Sequence, residues 1–252
     1  MPGPLSLVGQ YRAVGRFGLS VLDAAWLRAS NLHPPQSSPN PTTLFFCWVP
    51  KAAGTAIVSS LHKAVGLRKL KTPGAVRSVR GQFGSMGGFT LGHMDSDFLI
   101  ETGVVSPEYM ESLDSFAVVR NPFTRALSLF RYLMRLGNLS RQTSFEFFLE
   151  SCAENNFGLG PWNAIGTSQA APMTKWLRPR MWSGPKEILR YENLSEEFHQ
   201  WAEKRGLNCS LPLLNSAPVG INHEWNAREA HLVRKVWESD FSAYGYSMEK
   251  PR

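Results

Sequence analysis

Short apolar runs alternate with segments of helical spacing along this chain. The apolar runs cover residues 43–49, 88–92, 115–120 and 187–191, and each has the length of a buried strand. After the first run, Ile57, Leu61, Ala64 and Val65 recur on one helical face, and helices are also predicted near residues 121–135, 143–152, 193–201 and 222–239. Strands that alternate with helices predict an α/β fold with a parallel sheet, in which ligands bind at the carboxyl ends of the strands.

A further helix is predicted to start at Ser106-Pro107, and three of the predicted helices have a predicted amino-terminal cap. Ser106 precedes Pro107, Thr143 is followed three residues later by Glu146, and Asn193 by Glu196.

Two segments lack clear periodicity. Residues 69–88 predict a solvated basic loop; beside a phosphate site, such a loop has two alternative roles, holding an anionic acceptor or acting as a lid. Residues 156–184, rich in Trp, Pro and Gly, are expected to line an acceptor cleft.

The turn between the first strand and its helix predicts a phosphate site. The apolar run stops at Pro50, and the chain then turns through Lys51 and Gly54 into the helix. The first amides of a helix have no partner inside it, and the helix dipole favours negative charge there. Lys51 adds a full positive charge at the same place.

This turn differs from that of a nucleoside triphosphatase. In a Walker motif the lysine follows the last glycine, whereas Lys51 precedes Gly54 and Thr55. The third apolar run ends in Arg120, where a Walker-B strand has a carboxylate for Mg²⁺. Two basic strand ends without a metal carboxylate indicate a nucleotide that carries two separate phosphate groups, and no metal site is expected.

Two motifs resemble those of the sulfotransferases that use 3′-phosphoadenosine 5′-phosphosulfate (PAPS). Residues 50–56, Pro-Lys-Ala-Ala-Gly-Thr-Ala, are similar to the loop that binds the 5′-phosphosulfate, and residues 116–128, with an arginine ending a strand and a serine eight positions later, are similar to the 3′-phosphate motif. Residues 188–194 and 240–246 resemble later segments of the carbohydrate-type, Golgi-related branch. The resemblance spans residues 43–247 and implies a P-loop-like fold of three layers, with the sheet between helices.

The resemblance, together with the chemistry of sulfuryl transfer, assigns roles to individual residues. Lys51 is expected to stabilise the bridging oxygen of PAPS. Arg120 and Ser128 are expected to bind the 3′-phosphate, and Arg125 is a weaker candidate for the same role, with a solvent-facing position as the alternative. The loop residues expected to hold the 5′ group are Ala53, Gly54, Thr55 and Ala56.

His93 is the predicted general base. It follows a short strand, in the position where related carbohydrate sulfotransferases have a catalytic histidine, and an imidazole that titrates near neutrality accepts a hydroxyl proton without a large pKa shift. Asp95 and Asp97 are close in sequence, and either could orient His93 or act as the base instead. The departures from the family pattern are Ala52, where many relatives have a hydroxyl residue, and a missing basic residue after the segment 214–218.

Composition agrees with an anionic substrate. The 252 residues are 43% hydrophobic and carry a formal net charge of +7, which favours anionic partners. Nucleic acid is not expected as a partner, because the 27 Lys and Arg are spread along the chain and no nucleic-acid motif is present. The three cysteines, Cys47, Cys152 and Cys209, form no metal or disulfide pattern, so buried thiols in a reducing compartment are expected.

Two regions are predicted along the chain: a helical extension with a Pro-rich linker at 1–41, and a sulfotransferase domain at 42–252. The apolar positions of 5–29 are interrupted by charges, so no transmembrane segment is expected and the predicted location is cytoplasmic. The oligomeric state stays open, a homo-oligomer included.

The expected activity is transfer of the sulfuryl group from PAPS to a hydroxyl of a glycan or small molecule, releasing 3′-phosphoadenosine 5′-phosphate (PAP). The alternatives are a P-loop-like nucleotide kinase, an amine acceptor in place of the hydroxyl, and a binding module without turnover.

Overall fold

A parallel sheet forms the centre of the fold, which the computed structural model describes for residues 43–79, 88–154, 163–164, 167–211 and 223–251. Its strands follow the order β2-β3-β1-β4-β7, and every neighbouring pair is parallel. A separate antiparallel pair is formed by β5 and β6. The strands are β1 (Leu44–Cys47), β2 (Arg68–Lys69), β3 (Gly88–Thr90), β4 (Asp114–Val119), β5 (Asn163–Ala164), β6 (Thr167–Ser168) and β7 (Glu187–Arg190).

The two central strands are apolar on both faces because both faces are covered. Phe46 of β1 lies opposite Phe116 of β4, and both side chains are fully buried. Their rings stack at 4.9 Å between centroids, and Phe116 also contacts the ring of Trp201. Continuous apolar runs of this kind are typical of parallel strands covered on both sides.

Helices connect and flank these strands, which confirms the predicted α/β class with a central parallel sheet. Helix α1 buries Ile57 and Leu61, as its spacing predicts, and ends at Gly66, which has a positive φ of 65°. The helices are α1 (Gly54–Val65), α2 (Pro73–Val79), α3 (Ser96–Glu101), α4 (Pro107–Ser112), α5 (Pro122–Arg135), α6 (Phe145–Glu154), α7 (Thr174–Leu177), α8 (Leu194–Glu203), α9 (Ala227–Val236) and α10 (Glu238–Tyr244), with a 3₁₀ turn at Tyr191–Asn193.

The buried apolar side chains form two clusters. One surrounds the sheet and includes residues of α1, α4 and α8. The other joins α5, α6, α9 and α10 around Phe123, Phe148 and Trp237. Helix α5 follows β4 directly, so its position is fixed by the sheet at one end and by this helical cluster along its length.

Several predicted elements have different bounds. The segment predicted as a loop at 69–88 contains α2, which begins at Pro73 after Thr72, whose hydroxyl accepts a hydrogen bond from the Ala75 amide. The single helix predicted at 222–239 is two helices, α9 and α10, with a break at Trp237.

Of the three predicted caps, only Ser106 is confirmed; its hydroxyl accepts from the Tyr109 amide. The cap before α6 is Ser144 and not Thr143, since Ser144 accepts from the Phe147 amide. Asn193 precedes α8 without a side-chain cap bond. Sequence spacing therefore located these helices but misassigned two of the capping side chains.

The prediction of an acceptor cleft at 156–184 is wrong for much of the part that the structure describes. Trp176 and Trp182 are both buried in the sheet cluster. The Trp182 indole donates a hydrogen bond to the Ser96 hydroxyl, and the Cys47 thiol lies 3.5 Å from the Trp176 carbonyl oxygen. Large aromatic side chains in this segment thus form core, and residues 155–162 and 165–166 lie outside the description.

Cys47 and Cys152 are buried free thiols, as predicted, and burial raises the pKa of Cys47 to about 12.

In the described ranges no helix combines the length and the apolar character needed to cross a bilayer. The predicted extension at 1–41 lies outside the described residues, and the cytoplasmic location stays a prediction.

Candidate active site

The carboxyl ends of the parallel strands bring basic and aromatic residues together. All strands of the sheet end at the same edge, so the residues that follow them stand side by side. In the order of the strands, these residues are Lys69 at the end of β2, His93 after β3, Lys51 after β1, Arg120 after β4 and Tyr191 after β7.

A cavity of about 630 Å³ opens at this edge. Every residue that the sequence assigned to the site lines it: Lys51, Ala53, Gly54, Thr55, Ala56, His93, Arg120 and Ser128. The remaining lining residues are Trp48, Lys69, Thr124, Leu127, Arg131, Tyr132, Arg135, Gln169 and Tyr191. Basic side chains are thus frequent, and no carboxylate occurs among the described residues that line it.

The turn between β1 and α1 has an unusual backbone. Lys51 and Ala53 adopt positive φ values of 65° and 59°, a region that residues with a Cβ rarely occupy. Strain of this kind persists where the surrounding structure imposes it, and it occurs most often at functional sites. Gly54 is required for packing, because a Cβ at this position would lie 1.6 Å from the indole nitrogen of Trp48.

The amides of this turn differ in their availability. Ala56 donates its amide hydrogen to the carbonyl oxygen of Ala53 at 3.0 Å. The amides of Gly54 and Thr55 precede the first helical bond, and no partner for them occurs among the described residues. Two free amides at the start of α1 therefore face the position where the sequence predicts a bound anion.

Lys51 extends into the cavity from this turn. Its ammonium nitrogen lies 4.0 Å from the centre of the Tyr132 ring on α5, a cation–π distance. The pKa of Lys51 is lowered to about 8, first by burial and then by the charges of Arg135 and Arg120. An anion bound beside this group would favour its charged form.

Arg120 links the two motifs. Its guanidinium donates to the backbone oxygen of Lys51 at 3.1 Å and to the hydroxyl of Thr124 at 3.0 Å, and it lies over the Tyr191 ring at 3.9 Å. Ser128, one turn beyond Thr124, also lines the cavity. Burial lowers the pKa of Arg120. Arg120 and Ser128 therefore belong to one wall, with Lys51 directly beside it.

His93 has a defined tautomer. Its Nδ1 lies 3.0 Å from the carbonyl oxygen of Trp48, so Nδ1 carries the hydrogen and Nε2 is the acceptor nitrogen. Burial lowers the pKa of His93 to about 4; the bond to Trp48 opposes this shift, and the charge of Lys69 adds to it. The prediction of an unshifted histidine is wrong, because the site is desolvated and basic.

Asp95 and Asp97 have other partners. Asp95 caps α3 by accepting from the Asp97 amide and pairs with Lys175 at 2.7 Å. Asp97 accepts hydrogen bonds from the Arg180 and Met181 amides. Both carboxylates therefore fix local structure, and neither is among the described residues that line the cavity.

Arg125 does not face solvent, contrary to prediction. Its side chain is fully buried, donates to the carbonyl oxygen of Pro50 at 3.1 Å and to that of Ala171 at 2.8 Å, and lies 3.7 Å from an oxygen of Asp240. Arg125 thus fastens the Lys51 turn to the chain around residue 171 and to α10. Its position in the amino-acid sequence contains no signal for this role.

Sequence reasoning missed one wall of the cavity. Helical spacing predicts an apolar face of α5 at Leu127, Phe130 and Met134, with Arg131 and Arg135 off that face, but not that these arginines line a cavity with Thr124, Ser128 and Tyr132. Leu127 is buried, and Phe130 and Met134 are partly buried against the helical cluster, so the predicted apolar face is confirmed. Polar and aromatic residues recur every three or four positions from Thr124 onward, and this spacing indicates that they share one face of the helix.

Comparisons with known proteins add little. No family model matches the sequence, and no curated protein matches it. One similar solved structure is that of mouse sulfotransferase SULT7A1 in complex with PAP; it shares 14% identity, the match covers 89% of this chain and 73% of that chain, and the TM-score is 0.44. At this degree of likeness, the function of the present chain has to be argued from its own residues.

Proposed function

We propose that this protein is a sulfotransferase that moves the sulfuryl group of PAPS to an acceptor hydroxyl and releases PAP. The observation that carries the proposal is the meeting of two sequence motifs in one cavity. The guanidinium of Arg120 holds the backbone of Lys51, so the predicted 5′ and 3′ sites are adjacent. We propose that its relatives are in the carbohydrate-type branch, because residues 188–194 and 240–246 resemble later segments of that branch.

The cavity suits a nucleotide with two anionic groups. Its volume of about 630 Å³ is in the usual range for small-molecule sites, about 300–1,000 Å³. Lys51 and the free amides of Gly54 and Thr55 would hold the 5′-phosphosulfate, while Arg120 and Ser128 would hold the 3′-phosphate. Tyr191, which lies against Arg120, keeps that guanidinium in place.

The proposed chemistry uses His93 as the base and Lys51 as the cation at the leaving oxygen. His93 would accept the hydroxyl proton at Nε2 while the acceptor oxygen forms a bond to sulfur and the bond from sulfur to the bridging oxygen breaks. Lys51 would stabilise the negative charge that collects on the bridging oxygen, which leaves with PAP. A polyanion in the cavity would raise the pKa of His93 from its low value and so strengthen it as a base.

The first test compares nucleotides by thermal shift and calorimetry. PAP should bind far more tightly than AMP, which lacks the 3′-phosphate, and more tightly than ATP with Mg²⁺. Arg120→Met should reduce PAP affinity by about 10- to 100-fold, the loss of a charge-assisted contact, with little change for AMP. Arg228→Met, which removes an exposed partner of Glu150, is the charge-matched control.

The second test measures transfer of radioactive sulfate from PAPS to a panel of hydroxyl and amine acceptors in the presence of EDTA. Lys51→Ala and His93→Ala should each abolish transfer, and only Lys51→Ala should weaken PAP binding. Transfer from ATP that needs Mg²⁺ would identify a kinase, and transfer to amines alone would change the acceptor class. Full turnover by either variant would remove that residue from the mechanism.

A further inference from the structure

A single carboxylate joins the segment that follows α10 to the turn that carries Arg120. One oxygen of Glu192 accepts the hydroxyl hydrogen of Tyr246 at 2.9 Å, and the other accepts the amide hydrogen of Asn121 at 2.7 Å. Asn121 directly follows Arg120 and is the amino-terminal cap of α5. We call this carboxylate, with its two donors, the Glu192 bridge. Hydrogen bonds to a charged acceptor are stronger than those between neutral groups.

Tyr246 is also held by other contacts. Its amide donates to the carbonyl oxygen of Phe241 in α10 at 3.1 Å, and its ring centre lies 5.0 Å from the guanidinium of Arg190. Arg190, the last residue of β7, also donates to the carbonyl oxygen of Tyr244 at 2.6 Å. Burial, followed by the charge of Glu192, raises the pKa of Tyr246, so its hydroxyl keeps its hydrogen at working pH. The bridge is therefore tied to both α10 and β7.

The Glu192 bridge acts on Arg120 without pairing with it. In the part of the chain that the structure describes, this guanidinium donates to one hydroxyl and one backbone oxygen, and it has no carboxylate partner. A guanidinium has five N–H groups, so others stay available for a phosphate. Burial lowers the pKa of Arg120, whereas Tyr191, Glu192 and Tyr246 raise it. The bridge is thus close enough to influence the charge of this arginine.

We propose that Glu192 and Tyr246 are positioning residues for recognition of the 3′-phosphate. By holding the Asn121 amide, the bridge fixes the backbone from which the Arg120 side chain extends. This inference rests on the proposed function, because it takes Arg120 to be the ligand of the 3′-phosphate. It extends that function to two residues that are not among the described residues lining the cavity.

The test compares the affinities of PAP and AMP by calorimetry, since only PAP has the 3′-phosphate. Glu192→Ala removes both hydrogen bonds of the bridge, so PAP should bind about tenfold more weakly while AMP affinity changes little. Glu192→Gln should recover most of the PAP affinity, because an amide oxygen still accepts the Asn121 hydrogen. Tyr246→Phe, which removes one oxygen atom, should weaken PAP binding by about three- to tenfold.

Two control variants match these changes. Tyr244→Phe removes a buried hydroxyl that has no hydrogen-bond partner among the described residues. Glu196→Ala removes a glutamate of α8 whose carboxylate accepts from the Gln200 side chain at the surface. Neither control should change the ratio of PAP affinity to AMP affinity.

Two further measurements separate positioning from a general loss of structure. In the Arg120→Met background, Glu192→Ala should have almost no further effect on PAP affinity, because the bridge acts through that guanidinium. In the sulfate-transfer assay, Tyr246→Phe should raise the KM for PAPS and leave kcat nearly unchanged, since Lys51 and His93 are intact. Thermal denaturation checks that each variant is folded; if Glu192→Ala is not, Tyr246→Phe decides the question alone.

Four results would overturn the inference. They are a wild-type ratio of PAP to AMP affinity in Tyr246→Phe, an equal loss of both affinities, a full effect of Glu192→Ala in the Arg120→Met background, and a Glu192→Gln variant as weak as Glu192→Ala. Failure of the proposed function gives a different pattern: the unmodified protein then binds PAP no more tightly than AMP and transfers no sulfate from PAPS.

Discussion

Lys51 shows at the residue scale how the fold changes the chemistry of a side chain. The sequence places a lysine in a tight turn, and an exposed lysine would stay charged over the whole physiological range. Burial and two neighbouring guanidinium groups lower its pKa to about 8. Lys51 is therefore still mostly protonated at neutral pH, but its charge is lost at a pH where ordinary lysines keep theirs.

This shift predicts a pH dependence of PAP binding. Below about pH 8 free Lys51 carries the charge that the 5′-phosphate needs, so the titration of Lys51 should not make PAP affinity depend on pH in this range. Above that pH, binding requires uptake of a proton, and PAP affinity should fall towards about tenfold per pH unit. Calorimetry in buffers of different ionisation enthalpy measures both the affinity and the proton uptake.

Two variants identify the titrating group. Lys51→Met should bind PAP weakly and lose the decline above pH 8. Lys69→Met removes a second lysine whose pKa is also lowered to about 8, first by desolvation, yet it should keep the decline because Lys69 ends β2, three strands away from Arg120 after β4. A decline that disappears in Lys69→Met and persists in Lys51→Met would contradict the assignment of Lys51 to the 5′ site.

At the scale of elements, Arg125 connects parts of the chain that are distant in sequence. It leaves α5, reaches the carbonyl of Pro50 in the Lys51 turn, and meets Asp240 of α10. Asp240 in turn accepts hydrogen bonds from the Met173 and Thr174 amides at the start of α7. One buried ionic group therefore holds the Lys51 turn against elements from both halves of the described chain.

Arg125→Met should destabilise the protein strongly. It leaves the buried Asp240 carboxylate without its cation and the Pro50 carbonyl without its donor, so the free energy of unfolding should fall by about 3–5 kcal/mol, measured by urea denaturation. Adding Asp240→Asn should recover part of this loss, because the unpaired charge is then removed. The exposed pair of Arg228 and Glu150 is the comparison, and its removal should cost less than about 1 kcal/mol. A loss as small as that of Arg228→Met would show that Arg125 does not fasten the turn.

At the scale of the whole molecule, the site and the helical cluster are separate. The cavity lies at the carboxyl edge of the sheet, and α5 is the element that belongs to both, with one face in the cavity and another in the cluster with α6 and α9. A ligand at the strand ends would thus contact turns and one helix face, and α6 and α9 contribute none of the described residues that line the cavity.

Hydrogen exchange should reveal this division. PAP should slow exchange in residues 51–56, 120–128 and 191–193, where amides and side chains would contact the ligand. Residues 145–154 and 227–236 should change little apart from any general slowing due to the higher global stability. Mass spectrometry of peptides from these segments is the measurement. Protection in α6 and α9 without protection in the 51–56 turn would place the nucleotide elsewhere.

The sequence by itself determined four strands of the parallel sheet, the order in which helices follow them, and the residues at their ends, while the short polar strand β2 was not among them. These are local properties: an apolar run, a glycine that turns the chain, and an arginine directly after a strand are visible without any tertiary contact. The fold class and the grouping of Lys51, His93 and Arg120 at one edge followed from them, because parallel strands end on the same side.

Only the tertiary structure decided the rest, since it depends on contacts between distant segments. Burial, unlike residue type, made Arg125 a structural group and lowered the pKa of His93, whereas the sequence predicted a phosphate-binding or solvent-facing Arg125 and a His93 that titrates near neutrality. Helical spacing groups Thr124, Ser128, Arg131 and Arg135 on neighbouring positions of α5, but only its packing in the fold decided that this face lines the cavity. Desolvation and packing angle are properties of the assembled molecule, and no stretch of sequence contains them.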